Sequence, residues 1–351
     1  MKIHEKYIKR CIEIAKNGLG TTAPNPMVGC VLVCENKIIA EGFTSPYGGA
    51  HAEVNAINAV KDISLFGEAT LYVTLEPCSH FGKTPPCSDL IIKYHIKQVV
   101  IGCLDSNPLV AGRGIAKLKA AGCEVITGVL EEDCREHHKR FFTFHDKKRP
   151  YIILKWAETD DGFIAPNQKS EIKPIWITNA YSRQLVHKWR AEEQAILVGS
   201  KTVQEDNPSL TVRDWSGNNP IRIVLNPKGD LLPSFQIFNS DTKTIVIGNL
   251  KNEVLQASDN LILESINWDS QHDIAKQICD VLWKHQITSV IIEGGAQTLQ
   301  TFLNENLWDE ARIFISELQF NSGVKAPILR ATKSKTTEKI SNDTLSIHKN
   351  D

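Results

Sequence analysis

The residue types best suited to chemistry in this chain are His51, Glu53, Cys78 and Cys87. They fall in two runs, His51-Ala52-Glu53 and Pro77-Cys78-Ser79-His80-Phe81-Gly82-Lys83-Thr84-Pro85-Pro86-Cys87. One imidazole and two thiols supply three ligands for a tetrahedral zinc ion. Three protein ligands leave the fourth position open, the mark of a catalytic rather than a structural site. A closed structural site would need a fourth ligand, and His80 is the residue at hand. Zinc in an open site lowers the pKa of bound water toward neutrality. Glu53, two residues from His51, is a carboxylate able to carry protons without ligating the metal.

A second constellation stands near the other end. Residues 289–299 read as an apolar strand, Glu293, a Gly294-Gly295 pair, and the start of a helix running to Asn306. Glycines let the backbone approach a ligand, and a helix start offers N–H groups to phosphate. The run is not G-x-G-x-x-G, so a dinucleotide fold of the Rossmann type is a poor fit. Lys155, Arg190 and Arg213 are cations in the same half that could meet phosphates, although each alone reads more readily as a solvated surface charge.

The elements that position these groups follow from hydrophobic periodicity. Apolar residues at helical spacing mark a helix over 4–17. Runs at 27–33 and 37–42 flank Glu35-Asn36 and read as a hairpin. The pattern predicts a helix over 51–60 that begins on the His-x-Glu motif, whose first turn carries positive potential. A buried strand over 69–75 delivers Cys78 at its end, and Cys87 opens a helix to Tyr94. Strands at 98–103 and 124–127, with helices at 115–121 and 130–144, complete an α/β three-layer pattern over residues 1–145. Residues 146–150 are charged, end in Pro150 and read as a linker. A second α/β domain spans 151–351. Its expected strands are 151–157, 195–198, 221–225, 244–247, 289–292 and 312–315, with helices at 182–191 and 274–284. The tail after Thr332 is polar, and its last residues are expected to be loose.

Composition limits the alternatives. A chain of 351 residues suits two domains. With 42% hydrophobic and 23% charged residues, it has the make-up of a soluble globular protein. A net charge of −1, without a dense basic run, argues against a polyanion surface such as tRNA or DNA. No apolar run reaches membrane-span length, and the polar start lacks a signal-peptide core. Nine cysteines, mostly single in apolar contexts, suit a reducing cytosol rather than a disulfide framework.

Taken together, the motifs closely resemble the bifunctional riboflavin-biosynthesis deaminase–reductase family. The usual zinc-deaminase signature closes with Pro-Cys-x-x-Cys, whereas eight residues separate Cys78 from Cys87 here. That wide spacing is the family's own variant. Pro24-Asn25-Pro26-Met27-Val28-Gly29 and Gly49-Ala50-His51-Ala52-Glu53 also match its cytidine-deaminase-like domain. In the other half, Lys155-x-Ala157-x-Thr159-x-Asp161-Gly162, Trp176-Ile177-Thr178, Arg190-Ala191, Gly199-Ser200-x-Thr202, Asp206-x-Pro208-x-Leu210-Thr211-x-Arg213 and Glu293-Gly294-Gly295 are similar to its dihydrofolate-reductase-like domain. Two departures stand out. Thr159 replaces the usual Ser, and Pro174 falls where the family carries a Ser two residues before the Trp, so that hydroxyl's contact is not carried over.

The resemblance implies zinc-dependent deamination of a diaminopyrimidinone ribosylamine phosphate, then NADPH-dependent reduction of its ribosyl group. It implies one zinc held by His51, Cys78 and Cys87, with Glu53 as the proton carrier. It places Asn25, Lys83 and Asn107 on the first substrate. It places Ala157, Trp176, Thr202, Asp206, Gly295, Ala296, Gln297, Thr298, Leu299, Gln300 and Thr301 around NADPH. Lys155, Arg190, Leu210, Arg213 and Glu293 are expected on the second substrate. The expected partners are a small-molecule pyrimidine ribosyl phosphate and further copies of the chain in a cytoplasmic homo-oligomer, with neither nucleic acid nor membrane.

Overall fold

The structure, a computed structural model, describes residues 2–81, 85–107, 110–168, 171–249, 251, 254–269, 273–330 and 332–350. The chain divides into two compact units, Met1–Lys148 and Arg149–Asp351.

The first unit runs α1 (Lys2–Ala15), β1 (Gly29–Cys34), β2 (Lys37–Phe43), α2 (Ala52–Ala59), β3 (Thr70–Leu75), α3 (Cys87–Lys93), β4 (Gln98–Cys103), α4 (Arg113–Ala120), β5 (Glu124–Thr127), α5 (Glu131–His137) and α6 (Lys139–Lys147). Its sheet has the order β2-β1-β3-β4-β5. β1 pairs antiparallel with β2 and β3, while β3, β4 and β5 are parallel. β1 is buried at all six positions and β3 at five of six, so both faces of the sheet are covered. Such strands read as continuous apolar runs, which is why they are legible in sequence.

The helix expected over 130–144 is interrupted. His138 leaves helical geometry at φ −91 and ψ 15, separating α5 from α6. Its ring is buried, meets the Thr74 hydroxyl at 3.0 Å and packs edge-on against Phe142. A polar contact inside the core outweighs helix continuity there.

The second unit comprises β6 (Tyr151–Glu158), β7 (Phe163–Ala165), α7 (Ala180–Glu192), β8 (Ala195–Gly199), α8 (Ser200–Asp206), β9 (Ile221–Asn226), β10 (Thr244–Gly248), β11 (Leu261–Ser265), α9 (Ile274–Lys284), β12 (Ser289–Gly294), α10 (Ala296–Asn304), β13 (Glu310–Ile315), β14 (Val324–Lys325), β15 (Ser334–Ile340) and β16 (Asp343–Lys349). The main sheet has the order β11-β10-β9-β8-β12-β6-β13-β16-β15, and β14 pairs with β7 in a small ribbon. From β11 to β13 the strands are parallel; β16 and β15 add an antiparallel edge. Ligands of open parallel sheets bind beyond the carboxyl ends of the strands. The carboxyl ends of β6, β8 and β12 carry Ala157, Gly199 and Glu293.

The boundary between the units falls within residues 146–150, the segment expected as a linker. α6 continues to Lys147, and Arg149 is buried, with Nη1 and Nη2 donating to the two carboxylate oxygens of Asp309 at 2.5 and 2.8 Å. The tail, expected to be loose, is ordered over its described residues: β16 pairs with β13 from Thr344 to Lys349, burying Leu345. β15 is exposed at six of seven positions, so no apolar alternation betrays it in sequence. Its Lys, Thr and Glu side chains suit an edge strand that must not recruit another sheet. The tail also caps α7. Asp343 Oδ2 accepts from the Asn179 N–H at 2.9 Å and the Ser182 hydroxyl at 2.6 Å, while Asn179 Oδ1 accepts from the N–H groups of Tyr181 and Ser182.

Candidate active sites

In the first unit, three elements converge on one point. His51 is the N-cap residue of α2, in extended geometry, and Glu53 follows in the first turn. Cys78 lies on the loop leaving β3. Cys87 is the first residue of α3, and its N–H donates to Cys78 Sγ at 3.3 Å. His51 Nδ1 stands 3.6 Å from Cys78 Sγ and 3.3 Å from Cys87 Sγ. All three donor atoms lie within 4.8 Å of one another. Tetrahedral zinc, with bonds of about 2.0–2.3 Å, separates such donors by roughly 3.5–3.8 Å. The site fits the ion. His80, the residue that could have closed it, is exposed and lies outside the cluster, which among the described residues holds three ligand atoms and no fourth.

The electrostatics agree. The hydrogen bond from Cys87 holds the Cys78 thiol down against the opposing effect of burial, while Cys87 is pushed up by Cys78 and by burial. The Cys78 sulfur raises the His51 imidazole against the opposing effect of burial. Glu53 is 4% exposed. Burial, then the charge of Cys78, pushes its carboxyl up to about 7, and a bound dication would pull it back down.

The surrounding loops are held by a buried carboxylate that sequence reasoning missed. Glu76, just before Pro77, accepts from the N–H groups of Gly112 at 2.9 Å, Gly114 at 2.9 Å and Ile115 at 3.2 Å. Asp105, on the same loop system, is pushed up to about 7, first by burial, and its carboxylate accepts from the Asn107 N–H at 2.7 Å. Asn107 therefore sits on a turn fixed beside Glu76. Asn25 lies in the loop ahead of β1, its N–H donating to Thr22 O at 2.9 Å. Lys83 falls outside the described residues.

In the second unit, a cleft of about 620 Å³ opens at the carboxyl ends of the strands. It brings together Lys155, Arg190, Leu210, Arg213 and Glu293, and also Ala157, Trp176, Thr202, Asp206, Gly295, Ala296 and Leu299. Gln297, Thr298, Gln300 and Thr301 follow on α10 but do not line it. Gln297 is exposed, Gln300 Oε1 accepts from the Ile328 N–H at 2.8 Å, and the Thr301 hydroxyl donates to Gln297 O. Gly294 ends β12 at φ 145, a conformation side-chain-bearing residues avoid, and this turn aims the first turn of α10 at the cleft.

Lys155 and Arg190 are not solvated surface charges, whereas Arg213 is exposed. Arg190 Nη2 and Nε donate to the two oxygens of Glu293 at 2.7 and 3.2 Å, and both side chains are nearly buried. Burial opposes ionisation of Glu293, but Arg190 and Lys155 outweigh it and hold the carboxyl at about 2. Burial pushes the Lys155 ammonium down. Arg213 Nη1 donates to Ser209 Oγ at 2.5 Å and Thr211 Oγ1 at 3.2 Å. His187, which sequence reasoning missed, accepts from the Arg213 N–H through Nδ1 at 3.1 Å. Burial, then Arg190 and Arg213, drives its imidazole down to about 4, so it is neutral at pH 7. A lone His within an amphipathic helix gives no signal of such a role. Among the described residues, six cationic side chains against three carboxylates line the cleft: Lys155, Lys173, Arg183, Arg190, Lys201 and Arg213 face Glu205, Asp206 and Glu293.

An open three-ligand zinc site beside a buried Glu, and a cationic cleft on a parallel sheet, define a two-site enzyme that joins a zinc-dependent deaminase to a reductase. The family model of the cytidine and deoxycytidylate deaminase zinc-binding region matches residues 1–103, and that of the RibD C-terminal domain matches residues 150–319. The chain is 41% identical over 330 residues to the riboflavin biosynthesis protein RibD of Aquifex aeolicus, covering 92% of this chain and 89% of that one. It belongs to the RibD family, bifunctional pyrimidine deaminases and reductases of riboflavin biosynthesis, with zinc in one unit and NADPH in the other. The structure is similar to a diaminohydroxyphosphoribosylaminopyrimidine deaminase/5-amino-6-(5-phosphoribosylamino)uracil reductase from Thermotoga maritima, at 38% identity and a TM-score of 0.87, covering 100% of this chain and 99% of that one. It is also similar to Acinetobacter baumannii RibD, at 31% identity and a TM-score of 0.84, covering 99% of both chains.

Proposed function

We propose that the chain performs two consecutive steps: hydrolytic deamination of diaminohydroxyphosphoribosylaminopyrimidine, then reduction of 5-amino-6-(5-phosphoribosylamino)uracil, the pair of reactions named for the Thermotoga relative. One observation carries the reading: a buried carboxylate, Glu53, stands beside three converged zinc-ligand atoms. Zinc held by His51, Cys78 and Cys87 supplies Lewis acidity and makes water acidic enough to ionise near neutrality. As the water oxygen bonds the ring carbon, Glu53 takes up the water's protons on its carboxylate and returns one to the ring nitrogen and one to the exocyclic nitrogen, whose bond to the ring breaks and which departs as ammonia. Its burial keeps those protons from exchanging with bulk water. Asn25, Asn107 and Lys83 are assigned to the substrate of this step.

In the second unit NADPH supplies hydride. Ala157, Trp176, Thr202, Asp206, Gly295, Ala296 and Leu299 are assigned to the cofactor wall. Lys155, Arg190, Leu210, Arg213 and Glu293 are assigned to the substrate. The excess of cations suits two ligands that both carry phosphate. Glu293 fixes the fork of Arg190, and Ser209 and Thr211 aim that of Arg213. A cytoplasmic setting agrees with nine free cysteines, and no helix among the described residues is long and apolar enough to cross a membrane.

Purified protein should release ammonia from the first compound and oxidise NADPH on the second. Glu53→Gln should keep its zinc and lose ~10²–10⁴-fold in ammonia release, while still oxidising NADPH on the supplied uracil compound. Arg213→Ala should do the reverse. A folded, zinc-loaded Glu53→Gln protein unable to reduce the supplied compound would refute the division of labour.

A further inference from the structure

Among the described residues, Arg222 has the largest fully buried side chain. It projects from β9, where its neighbours in register are Ile196 on β8 and Thr244 on β10. Its guanidinium spends every donor. Nε donates to Thr244 Oγ1 at 3.0 Å. Nη1 donates to Asn239 Oδ1 at 2.8 Å and to the carbonyls of Ser209 and Gln236, each at 3.4 Å. Nη2 donates to the carbonyls of Asn239 at 2.6 Å and Thr242 at 2.8 Å.

All six acceptors are neutral. Asp241 is near enough to favour the charge, but its carboxylate accepts from Asn239 Nδ2. A cation buried without a carboxylate partner is costly, and an apolar side chain of similar volume would fill the same space at lower cost. What the fork supplies is geometry. It fastens the 207–213 loop to the 236–242 loop beside the amino end of β9.

Both loops reach the cleft. Ser209 and Gln236 line it, as do Leu210 and Arg213. Ser209 uses its carbonyl on Arg222 and its hydroxyl on Arg213. Leu210, next to it, is buried with a positive φ of 53, a conformation that must be imposed by neighbours. Asn207 Oδ1 accepts from the Gln236 N–H at 2.8 Å, a second tie between the loops.

We propose that Arg222 is a positioning residue for the reductase reaction, whose buried fork holds the Ser209–Arg213 wall so that Leu210 and Arg213 meet the substrate. The inference rests on the assignment of the cleft as the reductase site. A group held away from its productive place by about 1 Å commonly costs on the order of 10²-fold, so a loosened wall should lower kcat/KM by roughly 10- to 100-fold.

The test compares Arg222→Lys and Arg222→Gln with the parent protein, using the uracil compound and NADPH well below the melting temperature. Ammonia release from the first unit serves as the internal control. The expected result is a raised KM for the uracil compound in both variants, with ammonia release unchanged. Arg222→Lys keeps the charge but cannot span the three segments, so parental KM in a folded Arg222→Lys protein overturns the inference. A lowered melting temperature with parental KM and kcat assigns Arg222 to stability alone and also overturns it. Asn239→Ala removes one acceptor from the surface side and covers the case in which neither Arg222 variant folds. A several-fold rise in KM supports the inference, and an unchanged KM overturns it. Arg213→Ala in the same assay separates the two claims. If it is inert as well, the cleft assignment fails together with the inference; if it is defective while the Arg222 and Asn239 variants are not, only the inference fails.

Discussion

Replacing Glu293 by Gln is the sharpest probe of the second unit. Glu293 is held in the ionised state by two largely shielded cations, Arg190 and Lys155. From an ordinary 4.5 to about 2, at about 1.36 kcal/mol per pH unit, the ionised form gains about 3 kcal/mol in the folded protein. That agrees with the 3–5 kcal/mol typical of breaking one side of a buried pair, since Gln leaves both cations without their counterion. For a unit of about 200 residues, ~3 kcal/mol corresponds to a melting temperature lower by about 6–12 °C. The pH dependence has a definite sign. The folded pKa is depressed, so the stabilisation is complete above the unfolded value near ~4.3 and is lost as pH falls toward 2. Calorimetry of both proteins between pH 7 and pH 3 should show a gap that is widest near neutrality and narrows on acidification. A gap that is absent at pH 7, or constant across that range, would refute the argument that Arg190 and Lys155 hold this carboxylate ionised.

Metal analysis of Cys87→Ser should show marked zinc loss, because the ligand sulfur at the start of α3 is removed; full zinc content would discard the ligand assignment. Gly114→Ala tests the seating of the zinc loop: a Cβ there would stand 2.1 Å from the Pro77 carbonyl oxygen, directly before Cys78. That variant should release zinc faster to a chelator and lose ammonia release, and parental release kinetics would show that the loop accommodates the methyl group. Asp343→Ala removes two acceptor contacts from the start of α7, worth about 2 kcal/mol. It should lower the melting temperature of the second unit by several degrees and leave ammonia release intact, and an unchanged transition would deny the tail its capping role.

The sequence by itself determined the chemistry of the first site. His51, Cys78 and Cys87 are chemically unusual and lie within 37 residues, so their types and order suffice to name a zinc site. It also determined the buried parallel strands, such as β3, β8 and β12, because a strand covered on both faces must be apolar throughout. Tertiary structure decided the rest. Arg190 and Glu293 lie 103 residues apart, and only the sheet order places them in one ion pair. Arg222 reads in sequence as one charged residue within an apolar run; five of its six acceptors come from loops whose convergence no local pattern records, and the sixth from β10. The tail from Ser334 to Lys349 is polar because it forms a sheet edge, and its role becomes visible only when β13 is there to pair with it. Local sequence records what a residue can do, whereas burial and partnership are supplied by distant chain, and in this protein they gather scattered cations along one cleft.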